Sequence, residues 1–499
     1  MQVHVDKRGC VLKGIEVSSS QQTPLEQLQS LDRTGLLTLR VTIDMLPDDI
    51  LLEVFDAYVD EARYEDEWHK LVHVCQRWRC IVFASPRRLH LALLCTDRRS
   101  VKKMLDIWPA LPIIIAADMR YSSTPDATNI IAALEQHSRV VGIRILRIPS
   151  LLLVKLVEME KLFPMLTNLV LTSNDRRSCA PVLPDSFLGE SASGLRSLSL
   201  DGIPFPGLGK LLLSTTGLVH LSLSGLPHLG YIPPEAMGTS LSALSRLESL
   251  YLDFRSPSPR VKRESRHTPL VTRVVLPALI ECYLKGDIKQ VENFVSQIDA
   301  PLLYDIALTL FDRATPDTPQ LRDFISRAEA FKAAHRADVL FSYNRIQVTM
   351  FQRKGTVYHK ALALWILCDQ TDWRTLSLPN LCISAFQPLP TLEHLALYEN
   401  RYFQPQWQED MEGTRWRTLL HPYTSVKDLE VSGNLVQFVA GTLGELTGER
   451  IIEVLPALQN IFLQGFPVPR PVQEAMGKFV TARQLSGRPV TVHHQIDER

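Results

Sequence analysis

The phrase L-x-x-L-x-L restricts what this chain can fold into more than any other feature. It recurs as LTNLVL (166–171), LRSLSL (195–200), LVHLSL (218–223) and LESLYL (247–252). These copies start at 166, 195, 218 and 247, so they lie 29, 23 and 29 residues apart. Looser copies follow as LIECYL (279–284), LLYDIAL (302–308), LEHLAL (392–397), VKDLEV (426–431) and LQNIFL (458–463). Leucines at i and i+2 would turn to different faces of a helix, whereas a strand places them on one face. Strands this short cannot bury their apolar side alone. They must stack with their neighbours into one continuous core, each followed by a return segment.

Such spacing matches a leucine-rich repeat, with one strand and one return per unit. The reading extends toward the N-terminus, where strands and helices alternate. PRRLHLALLC (86–95), LPIIIAAD (111–118) and VVGIRILRI (140–148) read as strands, separated by helices in SVKKMLDIWPAL (100–111) and PDATNIIAALEQH (125–137). Ser100 is the expected cap of the first helix, and Pro109 its stop. Alternation at this interval predicts parallel strands joined by right-handed crossovers. Between 312 and 391 the phrase degenerates. There DVLFSYNRIQVTMF, ALALWILC and WRTLSL are expected to supply strands, with LRDFISRAEAFKAAH as an intervening helix.

Composition excludes several classes. Lys plus Arg equals Asp plus Glu at 54 each, so nothing in the charge asks for nucleic acid or an anionic membrane. Hydrophobic residues make up 45% of the chain, enough for a folded core. The eight cysteines form no CxxC pair, and most fall in apolar periodic runs where a thiol packs as a small hydrophobe. That usage suits a reducing compartment, with a cytoplasmic or nuclear location expected. No segment approaches the ~20 apolar residues of a membrane span. The first residues carry charges where a signal peptide has its apolar centre.

Residues 46–83 differ from the rest. Pro47 followed by Asp48 and Asp49 suits a helix start. Ile50, Leu51, Val54, Phe55 and Tyr58 then recur on one helical face. The acidic stretch 59–67 reads as a connecting loop, and the helical period resumes at Trp68, Leu71, Val72, Cys75, Trp78 and Val82. A unit of this size is too small to be held by its own burial alone.

The order of Leu46-Pro47, Ile50-Leu51, Val54-Phe55, Leu71, Val74-Cys75 and Trp78-Arg79 resembles an F-box. With the repeats behind it, the chain is similar to F-box/leucine-rich-repeat proteins, in particular the divergent set of mushroom-forming fungi. The resemblance implies an α/β protein: a short all-α F-box module followed by an irregular leucine-rich-repeat solenoid. It implies docking on a Skp-type adaptor, which bridges to a cullin ubiquitin ligase. Leu46, Pro47, Ile50, Leu51, Val54, Phe55, Leu71, Val74, Cys75 and Trp78 would carry that docking or hold the helices that do. The expected divisions are a loosely ordered leader (1–41), the helical module (42–88), the solenoid (89–480) and a polar tail (481–499).

No nucleophile elbow, P-loop, HExxH or dinucleotide fingerprint occurs, so neither catalysis nor a cofactor is expected. His73 lies near Cys75 and Cys80, but the two cysteines are five apart and face different sides of a helix, which argues against a metal. Residues 255–273 are the most basic and loop-like stretch, with Ser256 and Ser258 each before a proline. They read as an insertion at a loop face, a phosphorylation-responsive segment or a nuclear-import patch. For target capture, the residues flanking the inner leucines should project to the face away from the core. These are Ser197, Ser199 and Asp201, then His220, Ser222 and Ser224, then Ser249, Tyr251 and Asp253. The expected partners are therefore the adaptor, through it a cullin, and an unidentified target protein. The alternative is a leucine-rich-repeat scaffold with no ligase role.

Overall fold

The computed structural model describes residues 43–61, 68–84, 91–96, 100–107, 110, 112–119, 127–158, 163–173, 181–188, 193–227, 230–254, 273–311, 319–342, 345–355, 357–367, 391–400, 413–448, 450–464 and 469–495. The leader 1–41, Ser256 and Ser258 with nearly all of the basic loop, and the strand expected at WRTLSL (373–378) lie outside them. The chain divides into two compact units, Met1–Arg88 and Leu89–Arg499.

In the first unit a 3-10 turn, Ile43–Met45, precedes helices α1 (Asp48–Glu61), α2 (Trp68–Val72) and α3 (Gln76–Ala84). Helix α1 runs three residues into the stretch read as a loop, because neither glycine nor proline follows Tyr58 to stop it. Its start is held by Arg77, which pairs with Asp48 at 2.6 Å and donates to the carbonyl of Leu46 at 2.6 Å. Arg79 donates to the carbonyl of Val72 at 3.0 Å and so ties α3 to the end of α2. Leu51, Phe55, Leu71, Val72, Ile81 and Val82 form the core of this unit. The rings of Phe55 and Trp78 meet at 4.7 Å.

The second unit is mixed α/β around a large, mostly parallel sheet, compatible with a leucine-rich-repeat-like architecture. Its strands are β1 (Leu91–Leu94), β2 (Ile113–Asp118), β3 (Val140–Ile148), β4 (Asn168–Ser173), β5 (Ser197–Asp201), β6 (His220–Ser224) and β7 (Ser249–Asp253). Next come β8 (Val274–Val275), β9 (Glu281–Asp287), β10 (Ile298–Asp299), β11 (Asp305–Phe311), β12 (Ala334–Ser342), β13 (Arg345–Lys354) and β14 (Val357–Leu367). The last are β15 (His394–Glu399), β16 (Asp428–Ser432), β17 (Asn460–Gln464) and β18 (Thr491–Gln495). Sixteen of these make one sheet in the order β1-β2-β3-β4-β5-β6-β7-β9-β11-β14-β13-β12-β15-β16-β17-β18, while β8 and β10 pair separately.

Each of the nine leucine phrases supplies a strand. Its leucines stack in register across the sheet: Leu171, Leu200, Leu223, Leu252, Leu284 and Leu308 form one row, each buried. Beside it run Leu169, Leu198, Leu221, Leu250, Cys282 and Ile306. Burial pushes the Cys282 thiol up to about 12, so it packs as an uncharged hydrophobe. Just ahead of several strands one carbonyl accepts two successive amides of the next unit. Arg196 O takes Val219 N at 2.7 Å and His220 N at 2.9 Å, and Val219 O takes Glu248 N and Ser249 N in the same way. Lys427 O repeats the device with Gln459 N and Asn460 N.

Two expectations are corrected here. The segment between 319 and 367 is not a run of parallel repeats: helices Pro319–Arg327 and Glu329–Lys332 lead into three strands of which β13 is antiparallel to both β12 and β14. His335, expected to close the helix, already belongs to β12. The second unit also continues past residue 480. Helix Arg470–Leu485 crosses that boundary, and β18 then adds in parallel to β17. The free edge of β17 offers unpaired backbone groups, and Val490 supplies an apolar anchor just ahead of β18, so the segment is drawn into the ladder.

Candidate interaction surfaces

In the helical unit, the ten residues expected to serve docking fall into two sets. Leu51, Phe55 and Leu71 are buried and form the core, so they hold the helices and cannot themselves touch a partner. The physical reason is amphipathicity: α1 has a single broad apolar arc, and its deeper half goes to α2 and α3. Leu46, Cys75 and Trp78 are half-buried; the Cys75 sulfur accepts the Trp78 amide at 3.4 Å. Pro47, Ile50, Val54 and Val74 are exposed, Val74 at 59%. Ile43, Met45 and Tyr58 are exposed as well, though absent from the expected set. Ile50, Val54 and Tyr58 follow one another at i, i+4 and i+8, a continuous stripe along α1.

In the repeat unit, the sheet has a core face and an open face. Ser197, Ser199, Asp201, Ser222, Ser224, Ser249 and Tyr251 are half-exposed on the open face and His220 is exposed. Asp253 departs from this ladder. Its side chain is 1% exposed and pairs with Lys285 at 3.5 Å, the residue opposite it on β9. A carboxylate enclosed at the strand end must be paired, which removes Asp253 from contact with a partner.

The aromatic character of the face exceeds what Tyr251 alone announced. Tyr251 lies opposite Tyr283 on β9, and their rings stack at 4.4 Å and 3°. The Tyr283 ring lies 6.1 Å from Trp365 of β14 at 57°, and its hydroxyl bonds that of Thr309 at 2.8 Å. A signal existed: LESLYL and LIECYL carry tyrosine in the same phase. Trp365 Nε1 and Asp305 Oδ1 are buried here without a hydrogen-bond partner among the described residues.

Farther along, the same face becomes charged. Arg336 of β12 bonds Asp338 at 2.7 Å, the Tyr398 hydroxyl at 2.7 Å and Glu430 at 3.3 Å, spanning β15 to reach β16. Burial pulls against the charge of Arg336, but the Asp338 hydrogen bond and the surrounding groups hold its pKa above the ordinary value. Burial raises Asp338 despite that bond, and burial together with Glu430 raises the Tyr398 hydroxyl. Nearby, His394 Nδ1 meets Asp428 at 2.8 Å, and Asn460 donates to the same carboxylate at 2.8 Å. His493 and His494, expected in a solvated tail, are exposed on β18, where His493 stacks on Phe462 at 4.9 Å.

Among the described residues no group of three or more His, Cys, Asp or Glu is placed to hold a metal ion. None of their helices is long and apolar enough to cross a membrane. No protein-family model matches this chain. No curated protein matches it either. Among solved structures, it is similar to the leucine-rich repeat-containing protein LegL7 of Legionella pneumophila at 11% identity, over 81% of this chain and 99% of that one. The TM-score is 0.26, and at that value the likeness carries no argument about this chain.

Proposed function

We propose that this protein is the target-recognition subunit of a Skp–cullin–F-box type ubiquitin ligase. The observation that carries the reading is the division of labour in the helical unit. Its core is made by Leu51, Phe55, Leu71 and Val82, while Ile50, Val54, Tyr58 and Val74 of the same short segment stay in solvent. Large apolar side chains grouped along one helix are a costly surface unless a partner covers them. The F-box resemblance of residues 46–79 names a Skp-type adaptor as that partner. The open face of the repeat sheet, with its aromatic stack, would hold the target protein. In this reading the chain performs no chemistry. It raises the effective concentration of target lysines at the ligase and leaves bond formation to other subunits.

The test is co-purification of the whole chain with a Skp-type adaptor, repeated with Ile50→Glu combined with Val54→Glu. Both positions are exposed, so the variant should stay folded. Burying two such side chains is worth about 3 kcal/mol or more, so the complex should weaken by about a hundredfold. A folded wild-type chain that forms no complex would instead leave a repeat scaffold without a ligase role.

A further inference from the structure

The tip of the β13–β14 hairpin reaches past its neighbours. On one side β12 begins at Ala334, opposite Gln352, so Arg353 and Lys354 lie beyond it. On the other, β11 begins at Asp305, which meets Lys360 at 2.8 Å, so Val357, Tyr358 and His359 lie beyond that strand. There the two strands pair only with each other among the described residues, Arg353 against Tyr358 and Lys354 against Val357. Val357 is 56% and Tyr358 40% exposed, and Arg353 and His359 are exposed as well. The result is a short arm whose apolar side chains stand in solvent.

Strand alternation sets Phe351, Arg353, Tyr358 and Lys360 on one side of this arm, since Phe351 opposes Lys360 and Arg353 opposes Tyr358. That side continues the open face: Asp305, which Lys360 meets, stands two residues before Ala307, the residue in register with Tyr283. Its charge is one-sided. Between Asp338 and Asp369 the sequence holds no aspartate or glutamate, in a chain whose charges balance at 54 each. Of the acids nearby, Asp305 is engaged by Lys360, and Glu281 stands on β9, two strands away from β14. Arg353 Nε donates to the carbonyl of Gly355 at 3.1 Å, so part of the ordering of its guanidinium is already made in the free chain. A nucleic acid needs a row of cations for its phosphates, and an anionic membrane needs a broad basic patch. One guanidinium beside an ammonium that is already paired suits neither. It suits a single carboxylate flanked by an apolar side chain, which the Tyr358 ring can cover.

We propose that the tip of this arm docks an acidic segment of a second protein, with a carboxylate on Arg353 and a neighbouring apolar side chain on Tyr358. The inference goes beyond the function proposed above, since the arm needs neither adaptor nor ligase to act.

The experiment uses the full chain and fluorescein-labelled peptide pools with randomised flanks and a fixed centre of glutamate-leucine, glutamine-leucine, glutamate-serine or lysine-leucine. Fluorescence polarisation is read at physiological ionic strength. The glutamate-leucine pool should bind about fivefold tighter than the glutamine-leucine pool, the upper range for an exposed ion pair. It should also bind tighter than the glutamate-serine pool, with lysine-leucine the weakest. Arg353→Gln should bring glutamate-leucine down to the glutamine-leucine level, and Arg353→Glu should put lysine-leucine first. Tyr358→Ser should remove the advantage of leucine over serine. Both positions are exposed, so unchanged urea midpoints should confirm that the variants stay folded. Equal binding of the glutamate-leucine and glutamine-leucine pools overturns the inference. So does an acid preference that survives Arg353→Gln in a folded chain, or displacement of the pool by oligothymidine or phosphatidylserine vesicles more readily than by unlabelled peptide. Adaptor binding by the same variants keeps the two proposals apart: a chain that binds adaptor without acid preference loses only this one.

Discussion

The stretch from β4 to β11 and the segment from β12 to β14 use the same side-chain alternation and arrive at different topologies. In β13, Ile346, Val348 and Met350 are buried as completely as Leu221 and Leu223 in β6. Strand β6 nevertheless lies parallel to both neighbours, and β13 antiparallel to both of its own. The connections account for the difference. From Asp201 to His220 the chain has room for a helix, Leu208–Ser214, and can return to start a parallel strand. Between Ser342 and Arg345, and again between Lys354 and Val357, only two residues intervene. A parallel crossover needs about a dozen residues or more, so these links allow only hairpins. Alternation decides which side chains are buried. Link length decides direction.

The comparison yields its largest test by removal. Because β13 and β14 are a hairpin pair, β12 runs in the same direction as β11, and β12 already pairs in parallel with β15. Ile306, Leu308 and Leu310 of β11 have counterparts in Ala337, Val339 and Phe341 of β12, all buried. A chain lacking residues 343–367 retains the stretch 368–390, long enough for a crossover from β12 to β15. It should therefore fold with β12 moved against β11 and every remaining strand of the main sheet parallel. Urea unfolding should stay cooperative with a smaller m-value, since less surface is exposed. A broad transition would show instead that the hairpin is an integral partner and not an insertion.

How much of this was legible depends on which physical quantity each feature obeys. The nine leucine phrases found their strands because alternation is local, and Leu200, Leu223 and Leu252 needed only their own neighbours to announce a core row. The hairpin of β13 and β14 follows from two-residue links, a quantity that alternation does not report. Asp253 has the phase of the partner-facing ladder. Its burial depends on Lys285, a residue on another strand that no local pattern connects to it. In the helical unit the period identified the apolar arc but could not divide it. Leu51 and Ile50 are adjacent in sequence and equally apolar, and only the packing of α2 and α3 sends one inside. The aromatic row is legible only as far as Tyr251 and Tyr283 share one phase, because Trp365 meets Tyr283 across β11.

Single truncations sharpen the comparison at smaller cost. Leu223→Ala removes a side chain held on either side by Leu200 and Leu252, and neither neighbour can move without disturbing its own row. The cavity should persist, so the loss should lie toward the upper part of the range of about 2–5 kcal/mol for such truncations. Ile346→Ala, in the second position of β13 and beside a two-residue link, can relax and should cost about 2 kcal/mol. Urea midpoints at constant m-value would give both numbers. Equal losses would mean that β13 is packed as rigidly as the repeats.

The smallest contrast separates backbone strain from crowding. Gly433, between β16 and helix Leu435–Gly444, and Gly355, at the tip joining β13 to β14, have nearly the same left-handed φ, +66° and +64°. An alanine in that region costs about 1 kcal/mol at either site. Their surroundings differ. A Cβ on Gly433 would lie 2.9 Å from Glu399 Oε2, whereas among the described residues nothing comes within 4 Å of one on Gly355. That same Glu399 oxygen accepts the amide of Asn434 at 3.0 Å, at the entrance to the helix. Gly433→Ala must therefore displace a buried carboxylate from a charge-assisted bond, which adds about 1.5–3 kcal/mol to the strain. Gly355→Ala should show the strain alone. If Gly355→Ala proves as damaging as Gly433→Ala in thermal unfolding, the hairpin tip is a constrained part of the fold, and the link-length account of β13 fails with it.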